Sequence, residues 1–162
     1  MELSTDGAYL TTTHKGGGEG IVRDHSEKMI VAFATPIDAQ SALEAELMAF
    51  YHGLIPATDL NQPIWIESDA EQAIKLFNGT AWGPAHICRV MARLHSLKQR
   101  HTVRATFIHR EGNKAADLLA KMGLEQHSFR QISAHNAPRL LQAIVRLEEK
   151  GTPNIRLRDE DR

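Results

Sequence analysis

Hydrophobic periodicity changes at about residue 40, and that change restricts the possible folds more than any other feature of the chain. Before it, the pattern is that of strands. Leu3 to Tyr9 is short, partly alternating and carries Thr and Tyr, which predicts a strand. Gly16, Gly17, Gly18 and Gly20 predict a flexible turn. Ile21-Val22 and Met29 to Phe33 predict two more strands around a polar turn at Asp24 to Lys28, completing an antiparallel meander. After the change, Leu43, Leu47, Phe50 and Leu54 recur at helical spacing, with Ser41 as the cap and Gly53 and Pro56 near the end.

Ile64-Trp65-Ile66, bounded by Pro63 and Asp69, predicts a buried strand. Helical patterns follow at Glu71 to Phe77 and Ile87 to Leu97, separated by Gly79, Gly83 and Pro84. Val103 to His109 alternates as a strand, and Asn113 to Met122 predicts a helix closed by Gly123. A last helix, roughly Pro138 to Glu149, carries Leu140, Leu141, Ile144, Val145 and Leu147. The order β-β-β-α-β-α-α-β-α plus an extra helix predicts an α/β fold: a mixed sheet of three antiparallel strands, then parallel ones, flanked by helices. Phe33 and Trp65 are expected in its core.

No interior shift of composition marks a second domain in these 162 residues. The expected unit is 1–123, with 124–162 as a linker, helix and tail packed on or extending it. Met1 stands almost on the first strand, so flanking domains of a larger protein are expected. Cys88 is the single cysteine, which forbids an internal disulfide and suits a nuclear or cytoplasmic compartment. No apolar run approaches the roughly 20 residues of a membrane helix. A membrane partner is not expected, and a monomer is.

The net charge of −1 gives no overall attraction for nucleic acid. A local basic stretch exists, however: Arg89, Arg93, Lys98, Arg100 and Arg104, with His95 and His101 and no acid between. Gly16 to Gly20 lacks the Lys-Ser/Thr ending of a phosphate loop, and no Cys/His spacing suggests zinc.

Four carboxylates fall where the expected elements would converge. Asp6 lies in the first strand, Glu46 in the first helix, Asp69 at the end of the fourth strand and Asp117 in the helix after the fifth. Glu46 sits about 60° from Leu43 and about 40° from Phe50 on a helical wheel, beside the apolar stripe. A carboxylate in that position is costly unless something pairs with it. Asp117 points away from its helix's apolar face, and alone reads as an exposed acid favoured by the helix N-terminus. Asp6 alone reads equally as a turn acid before Gly7, and Asp69 as a helix N-cap. Together, converging carboxylates are what hard divalent cations such as magnesium require. Two such ions can bind attacking water, scissile phosphate and leaving oxygen at once.

The strings around these acids resemble the RNase H family, particularly the RNase H-like domains common in plant genomes and associated with retroelement reverse transcriptases. They are Leu3 to Ala8 (LSTDGA), Leu43 to Ala49 (LEAELMA), Trp65 to Ala70 (WIESDA) and His109 to Ala120 (HREGNKAADLLA), in family order. The resemblance implies the family's RNase H-like fold with a five-stranded mixed sheet. It implies that Asp6, Glu46, Asp69 and Asp117 are the catalytic metal-binding acids, with His109 as the histidine that assists turnover. It further implies two Mg2+ ions, with Mn2+ as a substitute, and an RNA–DNA hybrid as the partner whose RNA strand is cut. Thr12, Ala42 and Glu71 stand near positions where relatives carry Asn or Gln that read the hybrid backbone. A Glu71 carboxylate cannot donate to a 2′-hydroxyl as an amide would. Thr12, Ser41, Glu71, Arg89 and Arg93 are the candidate nucleic-acid contacts. Two rivals follow: a catalytically inactive module of the same fold that binds nucleic acid or protein, and a related 3′–5′ exonuclease. The second is disfavoured because Ala8 stands where that group places another acid.

Overall fold

The computed structural model describes residues 1–109 and 130–133, for 130 and 131 the backbone alone. Strand β1 (Glu2–Leu10) turns back into β2 (Lys15–Arg23), and β2 into β3 (Met29–Ile37), each pair antiparallel. Helix α1 (Ala42–Thr58) then crosses to β4 (Ile64–Ser68), which lies parallel to β1. Helix α2 (Glu71–Asn78), a 3-10 turn (Ala85–Ile87) and α3 (Cys88–Arg100) lead to β5 (Val103–Phe107), parallel to β4. Strand β6 (Arg130–Ser133) closes the far side against β3, so the sheet order is β5-β4-β1-β2-β3-β6. The mixed sheet expected from the sequence is therefore present, with six strands instead of five.

Helix α1 starts where its capping residues put it. Ser41 is extended, and its Oγ accepts from Glu44 N at 3.1 Å. The Glu44 carboxylate in turn accepts from Gln40 N at 2.7 Å. The helix lays Leu47, Phe50 and Leu54 on Leu3, Val22, Val31 and Phe33, all buried. The same core continues through Ile74 and Phe77 of α2 into Val90, Met91, Leu94 and Leu97 of α3. Phe50 meets Phe77 edge-on, ring centroids 5.9 Å apart. Each such side chain contributes roughly 1.5–3 kcal/mol by leaving water, and this core holds α1 against β1, where the site is built.

Three expectations need correction. Gly16 to Gly20 is not a turn but the first part of β2, and the chain reverses at residues 11–14. The glycines are there for space: a Cβ at Gly18 would collide with Ile37 Cδ1, and one at Gly20 would lie 2.5 Å from Phe33 Cε1. Trp65 is not a core residue. Ile64 and Ile66 take the helix-covered face, so alternation sends Trp65 to the other face, 47% exposed, with its indole N–H donating to Thr106 Oγ1 at 2.7 Å. Part of 124–162, expected as linker, helix and tail, is strand β6, whose four residues pair with Val31 to Ala34. Hydrogen bonding thus joins part of 124–162 to the same sheet. The helices expected at 113–122 and 138–149, and Asp117 with them, lie outside the described residues.

Candidate metal centre

Asp6 and Asp69 meet because their strands are neighbours and parallel. Strand β1 pairs with β4 from Glu2↔Trp65 to Ser4↔Glu67, so both chains approach the same end of the sheet. Asp6 lies within β1, not in a turn, and is almost fully buried. Asp69 directly follows β4. It is not spent as a helix cap: Ala70 occupies the N-cap of α2, and its N–H bonds back to Ser68 Oγ at 3.1 Å.

Glu46 comes from the opposite side of the sheet and reaches Asp6 through a gap at Gly7. A Cβ on Gly7 would stand 2.5 Å from both Ala45 C and Glu46 N, so only glycine lets α1 approach this closely. The Gly7 N–H donates to Glu46 Oε2 at 2.9 Å and anchors the carboxylate at that gap. Asp6, Glu46 and Asp69 each present a carboxylate oxygen, and the three oxygens lie within 4.8 Å of one another.

This arrangement is electrostatically expensive without a cation. Burial pushes the Glu46 carboxyl well above the usual carboxylate range, and the charges of Asp6 and Asp69 push it further. The Gly7 N–H opposes the shift, while a side-chain hydrogen bond with Asp6 adds to it. Three hard oxygen donors crowded together fit a magnesium-sized divalent cation and suit a soft metal poorly.

The remaining candidates are distributed around this centre. His109 lies two residues beyond β5, exposed, at the sheet end shared with Asp69, its ring 5.4 Å from that of Phe107. Thr12 is exposed in the hairpin between β1 and β2, where Tyr9 OH and His14 Nδ1 lie 3.0 Å apart. Ser41 is engaged twice, by Glu44 N and by His86 Nε2 at 2.9 Å. Glu71 is exposed on the first turn of α2 and paired with Lys75 at 3.2 Å.

The basic stretch is partly consumed by its own protein. Lys98 donates to Phe77 O and lies over the Phe77 ring, while Arg100 bonds to Ser96. Arg93 lies over the Tyr51 ring at 5.3 Å. Arg89 and Arg104 are exposed and make no ion pair among the described residues. Sequence reasoning missed Gly7, although a glycine directly after a strand acid and facing a helix is a readable sign of close approach.

Comparison with known proteins points one way. Residues 4–123 match the family model described as reverse transcriptase-like. An Arabidopsis thaliana protein provisionally named a ribonuclease H is 31% identical over 136 residues, covering 80% of this chain and 22% of that protein. The chain therefore spans under a quarter of that relative. The crystal structure of RNase H1 from the halophilic archaeon Halobacterium salinarum superposes with a TM-score of 0.70 at 19% identity, covering 76% of this chain and 96% of the other. LC11-RNase H1, a metagenomic compost protein solved in complex with an RNA/DNA hybrid, gives 0.69 at 16% identity over the same shares. The N-terminal RNase H domain of Mycobacterium tuberculosis rv2228c gives 0.69 at 15%, covering 76% and 94%. At these identities the structural likeness speaks for the fold.

Proposed function

This chain belongs to the reverse transcriptase-like family, whose domain is RNase H-like, and we propose on that footing that it hydrolyses the RNA strand of RNA–DNA hybrids in a reaction dependent on divalent metal. The observation that carries the reading is the convergence of Asp6, Glu46 and Asp69 within 4.8 Å, at the cost of an elevated Glu46 carboxyl. Asp6, Glu46 and Asp69 would hold Mg2+, or Mn2+ in its place, with Asp117 as the fourth ligand. Two such ions, when bound, supply Lewis-acid activation of water and charge stabilisation at the leaving 3′-oxygen.

The chain's own groups do the rest. The Gly7 N–H anchors the Glu46 carboxylate where α1 approaches β1 closely enough to exclude a Cβ, beside Asp6. Asp69 and His109 come from adjacent parallel strands, which brings an exposed imidazole to the acidic end of the sheet, where it can accept or return a proton. Arg89 and Arg93, one turn apart on α3, offer cations to backbone phosphate, and Thr12 a hydroxyl. Ser41 serves first as the α1 cap, and Glu71 can only accept. Products would carry 5′-phosphate and 3′-hydroxyl ends.

Cleavage of a labelled RNA–DNA hybrid in magnesium tests this, beside Asp69→Asn and duplex DNA and RNA controls. Hybrid-only cleavage, lost in the variant with its circular dichroism unchanged, is the expected result. Near-normal cleavage by Asp69→Asn would overturn the site. A binding module without catalysis is the second reading, favoured by Glu71, whose carboxylate cannot donate to a 2′-hydroxyl and is paired with Lys75. Magnesium binding with no cleavage of any substrate would select it.

A further inference from the structure

Exposed apolar surface is concentrated at one place. Of the seven large apolar side chains left exposed among the described residues, three, Ile30, Ile55 and Leu60, lie together. They line a groove of about 360 Å³ between the start of β3 and the last turn of α1, with Pro56, Asp59 and Ser133 of β6 also in its walls. Val22 pairs with both Leu3 and Val31, so the groove lies level with Leu3, at the end of the sheet away from Asp69. It is no part of the acidic centre.

The direction of β6 decides what can reach this groove. Antiparallel pairing sets Ser133 beside Val31, so the chain leaves the sheet at the groove itself. Residues 134–162 lie outside the described residues, and their sequence predicts an amphipathic helix over 138–149. Five Cα steps separate Ser133 from Pro138, which keeps the start of that segment within about 18 Å of the groove wall. At helical spacing Leu140, Ile144 and Leu147 share one side, with Leu141 and Val145 next to them. Arg139 and Arg146, about two turns apart, fall on a single flank of that stripe and complement the Asp59 carboxylate. An apolar helix face draws its stability in water from being covered. A tethered segment competes for a groove at about millimolar effective concentration, which favours it over a free second copy.

We propose that the groove is the docking site of the chain's own residues 138–149. Leu140, Ile144 and Leu147 cover Ile30, Ile55 and Leu60, and the arginine flank faces Asp59. Docking there closes the apolar end of the domain without touching Asp6, Glu46 or Asp69, and it does not depend on the metal reading.

The test is paramagnetic relaxation enhancement on the full chain. Cys88, an exposed thiol, is replaced by Ser, and a nitroxide is attached through Gln62→Cys, an exposed position two residues past Leu60. The expected result is strong broadening of the amides of residues 140–147, lost when Ile55→Asp is added. Ile55 is exposed, so this replacement leaves the core intact. Broadening of 140–147 no greater than that of the hairpin at residues 11–14, at the other end of the sheet, would overturn the proposal. Broadening that survives Ile55→Asp would overturn the groove as the dock. A mixed sample, with isotope on one copy and nitroxide on another, identifies the source: equal broadening there would overturn self-docking and assign the groove to a second copy.

Discussion

Replacing Glu46 with Gln should make the metal-free protein more stable while weakening binding at the proposed metal site. Glu46 faces Asp6 and Asp69, with oxygens within 4.8 Å. Two unit charges at that distance repel by about 3.5 kcal/mol at an effective dielectric of about 20, and by about 0.9 kcal/mol in bulk water. The site is partly open, so the true value per pair lies between these limits. Gln retains the oxygen that accepts from Gly7 N, so the anchor survives. A net gain of about 2 kcal/mol is expected, which for a chain of this size raises Tm by roughly 4–8 °C.

The pH dependence fixes the sign. The folded-state pKa of Glu46 lies above its unfolded value. Its favourable, protonated contribution is therefore complete below the ordinary glutamate range and is lost as pH rises through the elevated value. The advantage of Gln should be largest at neutral and alkaline pH and vanish on acidification. Thermal melts with chelator at several pH values, repeated with Mg2+, provide the measurement. Saturating ion at about 100 times Kd should return about 2.7 kcal/mol to the wild type and little to the variant. A Gln variant that melts at or below the wild type in chelator at neutral pH would refute the argument.

Other outcomes follow from the same geometry. Gly7→Ala should cost about 3 kcal/mol or prevent folding, because its Cβ meets α1 backbone at 2.5 Å; chemical denaturation measures it. Arg23→Leu should cost about 1–3 kcal/mol by stripping the buried partner from Glu2 and Ser4, both 3.2 Å from its guanidinium, again read by denaturation. His52, held below its usual pKa by burial and by Arg93, keeps its stabilising contribution above the ordinary histidine range and loses it as pH falls through the depressed value. Arg93→Gln should therefore raise the His52 pKa, observable by NMR titration of the imidazole.

Much of this was legible in the sequence because side-chain period reports local structure directly. The alternation of β1, the helical spacing of Leu43, Leu47, Phe50 and Leu54, and the Ser41 cap each placed an element within a few residues. The acids Asp6, Glu46 and Asp69 were legible as candidates, and Glu46 stood out because its wheel position beside the core made it conspicuous. What misled was glycine and the short apolar run. A glycine run reads as a turn when only local conformation is considered, yet Gly18 and Gly20 answer to Ala49 and Phe33, distant in sequence. Ile64-Trp65-Ile66 reads as uniformly buried until one knows which face the helices cover.

Strand β6 bears on where this unit can be cut. The family match stops at residue 123, whereas backbone pairing continues to Ser133 on β3. A fragment trimmed at the similarity boundary would strip hydrogen-bonding partners from Val31, Ala32, Phe33 and Ala34 and leave β3 as a nine-residue open margin. Long, flat, apolar margins recruit other chains, by the same pairing that β6 satisfies internally. The fragment's solubility, more than its melting temperature, would register the loss, and an expression boundary drawn from hydrogen bonds will outperform one drawn from resemblance.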